Sequence, residues 1–317
     1  MNKEALEDAA AGNAKKHAVF IVFLAVSACI FWKALGGLVL YAFHDDSCSH
    51  IVLIPFISLF LIYTERKKIF LKARVSIGFG ALPILIGAFI YWVAGRHSFT
   101  DGGRQFLSAA ALSIVSVWIG GFAVCYGKRA LRAAIFPLLF LLLMVPLPDQ
   151  ALSRTIYYLQ QGSTDIAYLL FKAVGVPVLR QGFLLSLPGV TIEVAKECSS
   201  IRSSIALFIT CLLGVHFLLR TPWKMVLFMV LIFPLSVIKN GIRIFTLTLL
   251  SIYVDPSFLH GSLHRDGGFV FFALALAMLW PVLVLLQKSE EAGRRVVSSE
   301  GLNKAATGFV AESKLTG

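Results

Sequence analysis

Residues 193–204 form the stretch of the chain with the most polar and potentially reactive side chains. Within it, Cys198 has Lys196 and Arg202 close by in sequence. A long apolar run begins immediately after this stretch, so the thiol lies where a polar segment meets a hydrocarbon-like one. Nearby positive charge favours the thiolate form of a cysteine, and the thiolate is the nucleophile. The pattern indicates either a reactive cysteine or, as the alternative, a small residue that packs at the start of a helix.

A second polar stretch, residues 238–244, contains Lys239, Asn240 and Arg243 at the outer end of a predicted membrane span. Ionisable groups at membrane depth are costly and are usually functional. The guanidinium of Arg243 offers a planar set of donors that suits a carboxylate or a developing oxyanion. The alternative is that Lys239 and Arg243 extend to the lipid headgroups.

A third polar stretch, residues 260–268, contains His260 and His264. Either imidazole could act as a general base near neutral pH, and the alternative is an interfacial histidine with an ordinary hydrogen bond. A thiol, an imidazole and a guanidinium together make a cysteine acyl-transfer site. The sequence therefore predicts a site built from Cys198, Arg243 and one of the two histidines, His264 or His260.

The elements that must position these residues are membrane helices. The chain has 317 residues, of which 58% are hydrophobic and 15% are charged, whereas a soluble domain carries roughly a quarter charged residues. Composition predicts an all-α polytopic membrane protein. The net charge of +12 is spread over short loops, which is typical of membrane topology, so we expect no nucleic-acid partner. The five cysteines form no CxxC pair and no metal-ligand spacing, and we expect no cofactor and no metal.

Eight transmembrane helices are predicted from the apolar runs. They are residues 18–40, 51–63, 75–94, 106–126, 133–145, 205–219, 225–238 and 269–286. This layout leaves a polar amino-terminal tail at 1–17, a membrane domain at 18–287 and a polar carboxy-terminal tail at 288–317.

Residues 149–198 interrupt the series of apolar runs. Residues 155–174 are only moderately apolar, which favours an amphipathic helix at the membrane interface. Residues 176–194 contain Pro188-Gly189 between two short apolar runs, and this pattern predicts a β-hairpin. We expect a small cap on one face of the membrane.

The distribution of lysine and arginine among the loops favours one orientation of the chain in the membrane. With the amino terminus in the cytoplasm, the inside segments carry 18 lysines and arginines and the outside segments carry 10. Cytoplasmic loops are enriched in these residues, so this orientation is the favoured one. Both termini are then cytoplasmic, and the cap, Cys198, Arg243 and His264 are predicted on the extracytoplasmic face.

Three other interpretations remain open on the residues alone. A polytopic transporter without peptidase activity also fits a segment interrupted by Gly and Pro, although charged residues within the spans are almost absent. A metal site in residues 45–50 has suitable ligand types, but the spacing fits no common site. A structural membrane subunit would leave the grouping of cysteine, arginine and histidine as a coincidence.

The chain resembles the exosortase/archaeosortase family of membrane cysteine transpeptidases. The resemblance covers roughly residues 20–287 and rests on three motifs in the family's order. These are Glu197-Cys198-Ser199-Ser200-Ile201-Arg202, Asn240-Gly241-Ile242-Arg243-Ile244 and His264-Arg265-Asp266-Gly267-Gly268-Phe269, with Ser49-His50, Ile54-Pro55 and Met144-Val145-Pro146-Leu147-Pro148 in support. Ser200 is a departure, because the family often has glycine there.

The resemblance implies Cys198 as the nucleophile, Arg243 as the invariant arginine and His264 as the third member, with His260 as its rival. It implies supporting positions at Asn240, Glu197, Arg202, Ser199 and His50. The expected substrates are secreted proteins with a carboxy-terminal sorting signal, which consists of a short motif (Pro-Glu-Pro in many bacterial substrates), a transmembrane helix and a basic tail. The enzyme is then expected in the bacterial inner membrane, among its lipids, and to pass the substrate to an unknown surface acceptor.

Overall fold

The structure is a computed structural model that describes residues 3–71, 76–96, 103–195, 201–259 and 268–313. The chain divides into two compact units, Met1–Arg154 and Thr155–Gly317. The described residues are almost entirely helical and include one small antiparallel sheet. This agrees with the all-α class predicted from composition.

The first unit is built from helices. They are α1 (Lys3–Ile30), α2 (Trp32–His44), α3 (Ile54–Thr64), α4 (Arg66–Phe70), α5 (Ile77–Arg96), α6 (Arg104–Ala133) and α7 (Ile135–Phe140), followed by the start of α8 (Asp149–Ala173). Helices α5 and α6 pack at close range, because a Cβ added at Gly80 would lie 2.6 Å from the carbonyl oxygen of Gly120. Such close approach through small residues is the usual way in which membrane helices associate.

The second unit contains the rest of α8, a three-stranded sheet and three further helices. The strands are β1 (Leu179–Gln181), β2 (Leu184–Leu187) and β3 (Val190–Glu193), and the helices are α9 (Ile201–Leu218), α10 (Pro222–Tyr253) and α11 (Gly268–Ser313). The predicted hairpin is the pair β2–β3, in which Leu185 lies opposite Ile192. Its turn contains Gly189 with a φ of 83°, a conformation that glycine adopts without steric cost. The sequence did not predict β1, which pairs antiparallel with β2.

The sheet packs on the ends of two helices. Its buried residues Leu185 and Leu187 lie in one apolar cluster with Phe171 of α8 and Ile244 of α10. A second apolar cluster joins α9, α10 and α11 through residues such as Leu207, Phe228 and Leu279. The sheet is therefore fixed to the part of α10 that follows Arg243.

Five described helices are long and apolar enough to span a membrane: Gly78–Arg96, Arg104–Ala133, Ile201–Leu218, Pro222–Tyr253 and Phe269–Ala292. Two bent pairs raise the number to seven if each is one span. They are Ala14–Ile30 with Trp32–His44, bent by 78°, and Ile135–Met144 with Asp149–Ala173, bent by 90°. The predicted count of eight is not confirmed, since Ile54–Thr64 has only 11 residues and a span needs about 20.

Two predicted boundaries need correction. The run at 18–40 is not one straight span, because the helix breaks at Phe31 between α1 and α2. The span predicted at 225–238 is the first part of α10, which continues to Tyr253. Asn240 and Arg243 therefore lie inside a helix, rather than at the outer end of a span as predicted.

Candidate active site

Helix α10 has two different halves. Val226, Val230 and Phe233 of its first half are exposed, which suits a lipid-facing surface. Between residues 235 and 252, by contrast, none of its residues is exposed. At a rise of about 1.5 Å per residue, Arg243 lies about 31 Å along the helix from Pro222. That distance is close to the hydrocarbon thickness of a bilayer, about 30 Å, so a cationic group at this point can reach an interface.

Helix α8 covers the second half of α10 at close range. A Cβ added at Gly162 would lie 2.8 Å from Cγ1 of Val237, and one added at Gly241 would overlap the side chain of Ile166. Only glycine allows the two helices to approach so closely. The glycine of the Asn240-Gly241-Ile242-Arg243 motif thus has a packing role.

Asn240, a predicted supporting residue, is 1% exposed and points at α8. Its Nδ2 donates a hydrogen bond of 3.0 Å to Oγ of Ser163. Ser163 in turn donates to the carbonyl oxygen of Leu159 at 2.6 Å. Asn240 is therefore part of a buried hydrogen-bond chain that joins α10 to α8, which is how a polar residue within a helical membrane domain is usually accommodated.

The neighbouring Lys239 is directed at α9. It is 2% exposed, and its Nζ donates a hydrogen bond of 2.7 Å to Oγ of Ser203. Arg243, one turn further along α10, is half-buried. Asn240 and Lys239 thus connect one turn of α10 to two different helices, immediately before the arginine that the sequence analysis selected.

The predicted residues Glu197, Cys198 and Ser199, and both histidines at 260 and 264, lie outside the described residues. Both flanks of the cysteine segment are described. On one side, the carbonyl oxygen of Val194 accepts a hydrogen bond from Nε2 of Gln160 on α8. On the other side, Ser203 accepts from Lys239. The described residues on either side of 196–200 are therefore held by α8 and α10.

Two of the basic residues near this segment differ in their surroundings. Arg180 on β1 forms an ion pair with Asp165 and donates to the carbonyl oxygen of Gly182 at 3.0 Å. The charge of Arg180 is therefore balanced locally by Asp165. Arg202, the predicted supporting residue at the start of α9, is exposed.

His50, also predicted to support the site, lies in the first unit. Its Nε2 is 3.1 Å from the carbonyl oxygen of Leu143, to which it can donate, and this contact joins the turn before α3 to the turn after α7. Burial lowers the pKa of His50, and the hydrogen bond opposes that effect only in part. The bond gives His50 a structural contact within its own unit.

Within the described side chains, no group of three or more His, Cys, Asp and Glu residues could hold a metal ion, and this includes those of residues 45–50 that are described. Arg104 occupies the position near them instead. It pairs with Oδ2 of Asp45 at 2.5 Å and with Oδ1 of Asp149 at 2.9 Å. Sequence reasoning missed this hub, because its two acidic partners are far away along the chain.

The long apolar helices, with polar side chains buried among them, define a multi-pass α-helical membrane protein. Searches of curated proteins and of solved structures gave no match. The family model of the transmembrane exosortases (Exosortase_EpsH) matches residues 32–281, which is most of the chain. The protein belongs to this family, as the sequence resemblance predicted. Membership supports a general function in protein sorting as a membrane transpeptidase that acts on secreted substrates with carboxy-terminal signals.

Proposed function

We propose that the protein is a cysteine transpeptidase in which Cys198 is the nucleophile, Arg243 stabilises the oxyanion or binds a substrate carboxylate, and His264 is the general base and acid. Family membership supports the class of reaction. The observation that carries the assignment is that the described residues flanking 196–200 are bonded to α8 and α10, close to the turn of α10 that leads to Arg243.

The short length of chain between Cys198 and Ser203 also supports the assignment of Cys198 and Arg243 to one site. Cys198 is five residues before Ser203, so its Cα lies at most about 18 Å from the Cα of Ser203. Ser203 is bonded to Lys239, and Arg243 is one helical turn from Lys239. A cysteine on so short a connection can reach a guanidinium on the adjacent turn.

The proposed reaction has two steps. The imidazole of His264 takes the proton of the Cys198 thiol, and the sulfur attacks the carbonyl carbon of the scissile peptide bond. The proton then passes to the leaving amine, which departs with the transmembrane helix and basic tail of the sorting signal. An amine or another nucleophile of the surface acceptor then attacks the resulting thioester, and its proton passes to the sulfur, which is released as the Cys198 thiol. In both steps the carbonyl oxygen carries negative charge, which the guanidinium of Arg243 stabilises.

The proposed orientation places both termini in the cytoplasm and the reaction on the extracytoplasmic face of a bacterial inner membrane. The supporting observation is that the sheet packs on α10 beyond Arg243, about one hydrocarbon thickness from the Pro222 end. Arg220 and Lys224 lie near that opposite end, as expected for a cytoplasmic boundary. Under this proposal eight spans carry the cap at 149–198, and the exposed Arg202, with Lys196, meets an acidic sorting motif.

The test is to trap the intermediate. Membranes that contain the protein are incubated with a reporter that carries a carboxy-terminal Pro-Glu-Pro motif, a transmembrane helix and a basic tail. We expect a thioester between Cys198 and the shortened reporter that hydroxylamine cleaves, and neither thioester nor processing in Cys198→Ala. His264→Ala should accumulate uncleaved reporter, and His260→Ala should have a milder effect.

The matched control is Cys211→Ala, since Cys211 is a buried cysteine on α9 whose thiol lies in an apolar cluster. This variant should process the reporter normally. Processing at the normal rate by Cys198→Ala would end the proposal.

A further inference from the structure

Two buried lysines on α10 provide a comparison within one helix. Nζ of Lys224 donates to Oγ of Ser289 on α11 at 3.0 Å and has the carboxylate of Glu290 nearby. Lys239 has the corresponding bond to Ser203 on α9, at 2.7 Å. Glu290 therefore interacts electrostatically with Lys224, whereas among the described residues the charged group that acts on Lys239 is the like-charged Arg243. Within the described part of the chain, the lysine on the site side of α10 is thus buried beside another cation rather than beside a carboxylate.

A purely structural role does not account for Lys239. Burying an amine away from water is costly unless charged or polar groups compensate for it. The like charge of Arg243, one turn away, adds to the cost of a charged Lys239. An apolar side chain of similar length would hold α9 and α10 together without that cost, so a residue of this kind at membrane depth points to function.

The bond to Ser203 connects Lys239 to the proposed nucleophile. Ser203 is the third residue of α9, and the chain between Cys198 and that residue is only a few residues long. A displacement of this helix start relative to α10 therefore changes where the connected segment can lie. On the other side, Lys239 adjoins Asn240, which is fixed to α8.

The choice of acceptor is specific. The hydroxyls of Ser204 and Ser236 are also buried at this end of the α9–α10 pair, and neither has a hydrogen-bond partner among the described residues. Ser204 is next to Ser203 in sequence, and Ser236 precedes Lys239 by one helical turn. Of these three serines, Ser203 is the one that accepts the bond of Lys239.

We propose that Lys239 is a positioning residue of the transpeptidase: by donating to Ser203 it fixes the start of α9 against α10 and so sets the position of Cys198 relative to Arg243. This inference rests on the proposed function. It predicts that Lys239 contributes to the rate of the bound substrate's reaction rather than to its binding, because it acts through the placement of the nucleophile.

The experiment measures kcat and KM for the same reporter in detergent-solubilised full-length protein. Lys239→Met keeps the length of the side chain and removes the donor. We expect kcat to fall by about 10- to 100-fold, the cost of a small misplacement of a catalytic group, with KM changed by less than about twofold. Ser203→Val should show a similar loss, whereas Ser203→Thr, which has the shape of valine and retains the hydroxyl, should recover most of the rate.

Two controls separate positioning from general packing. Lys224→Met makes the same change at the other buried lysine of α10 and should leave kcat at the wild-type value. Ser236→Ala removes a neighbouring hydroxyl that Lys239 does not use and should also leave kcat unchanged. The double variant of Lys239→Met with Ser203→Val should lose no more activity than either single variant, since both break one bond.

Three results would overturn the inference: a wild-type kcat in Lys239→Met, losses that simply multiply in the double variant, or an equal loss in Lys224→Met. Cys198→Ala is measured beside these variants. If it is inactive while Lys239→Met is normal, the positioning role alone is wrong. If Cys198→Ala is active, the transpeptidase proposal and this inference both fail.

Discussion

Arg104 offers the clearest stability experiment, because both partners of its two ion pairs lie within the described residues. Its side chain is 8% exposed and pairs with Asp45 at 2.5 Å and with Asp149 at 2.9 Å. The guanidinium also lies 5.1 Å from the centre of the Tyr41 ring. Replacement by methionine keeps an unbranched side chain that can still pack but leaves both carboxylates without their partner.

The expected loss follows from the exposure of the partners. Removing one member of a fully buried ion pair costs about 3–5 kcal/mol. The side chains of Asp45 and Asp149 are 28% and 58% exposed, so water recovers part of that energy when the arginine is absent. We expect Arg104→Met to lower the free energy of unfolding by about 2–3 kcal/mol, which corresponds to a fall in Tm of roughly 4–12 °C.

The pKa of Asp45 determines how the effect of Arg104→Met on Tm should change with pH. Burial would raise the pKa of Asp45, but hydrogen bonds from Ser47 and the nearby Arg104 outweigh it, and the pKa lies below the ordinary carboxyl value. A lowered pKa means that the carboxylate stabilises the fold above its unfolded pKa of about 3.9, and that this stability disappears as pH falls through the folded value. The Tm difference between wild type and Arg104→Met should therefore be constant near neutrality and shrink below about pH 4.

The assay is thermal unfolding of the purified protein in detergent, followed by tryptophan fluorescence. Arg96→Met is the matched control, since Arg96 is an exposed arginine that lies over the Trp92 ring at 4.5 Å. Its Tm should change by no more than about 2 °C, as expected for an exposed contact. An unchanged Tm in Arg104→Met, or a deficit that persists fully in acid, would refute the ion-pair argument.

Three other outcomes follow from the site. Arg243→Lys keeps the charge but loses the planar donors, and we expect reporter processing to fall by about 100-fold or more; near-normal processing would reduce Arg243 to a headgroup contact. Asn240→Ala removes the bond to Ser163 and should lower stability by about 0.6–1.7 kcal/mol in a thermal-unfolding assay, the range of polar contacts between membrane helices. A membrane-impermeant thiol reagent applied to intact cells should modify Cys198 but not Cys125, which precedes the basic residues Lys128, Arg129 and Arg132. Modification of Cys198 only after cell lysis would contradict the proposed topology.

Hydropathy located the long helices well but ended α10 too early. The run of apolar residues stops at Ile238, where Lys239 and Asn240 begin a polar stretch. The helix continues because Ser203 and Ser163 on neighbouring helices satisfy these polar side chains. A hydropathy profile describes transfer to lipid and takes no account of such tertiary partners, so it underestimates helix length where helices bury polar groups together.

Two other features could not be predicted from the sequence, each for a different reason. The helix break at Phe31 was not predicted because no proline stands at that position. Strand β1, Leu179-Arg180-Gln181, lacks the β-branched residues of β3 and is a strand because β2 pairs with it. The Pro-Gly turn between β2 and β3 was predicted from the sequence, whereas the pairing of Lys239 with Ser203 could not be, because it depends on how α9 and α10 pack.

The close crossing of α8 over α10 has a consequence for genetics. At position 241 there is no room for any side chain, because the space that a Cβ would occupy is taken by Ile166. Every amino acid other than glycine should therefore be rejected there for reasons of volume alone, whatever its chemistry. A saturation screen that scores activity would rank position 241 beside Arg243, and only a parallel score for the amount of folded protein would tell the steric requirement from the chemical one.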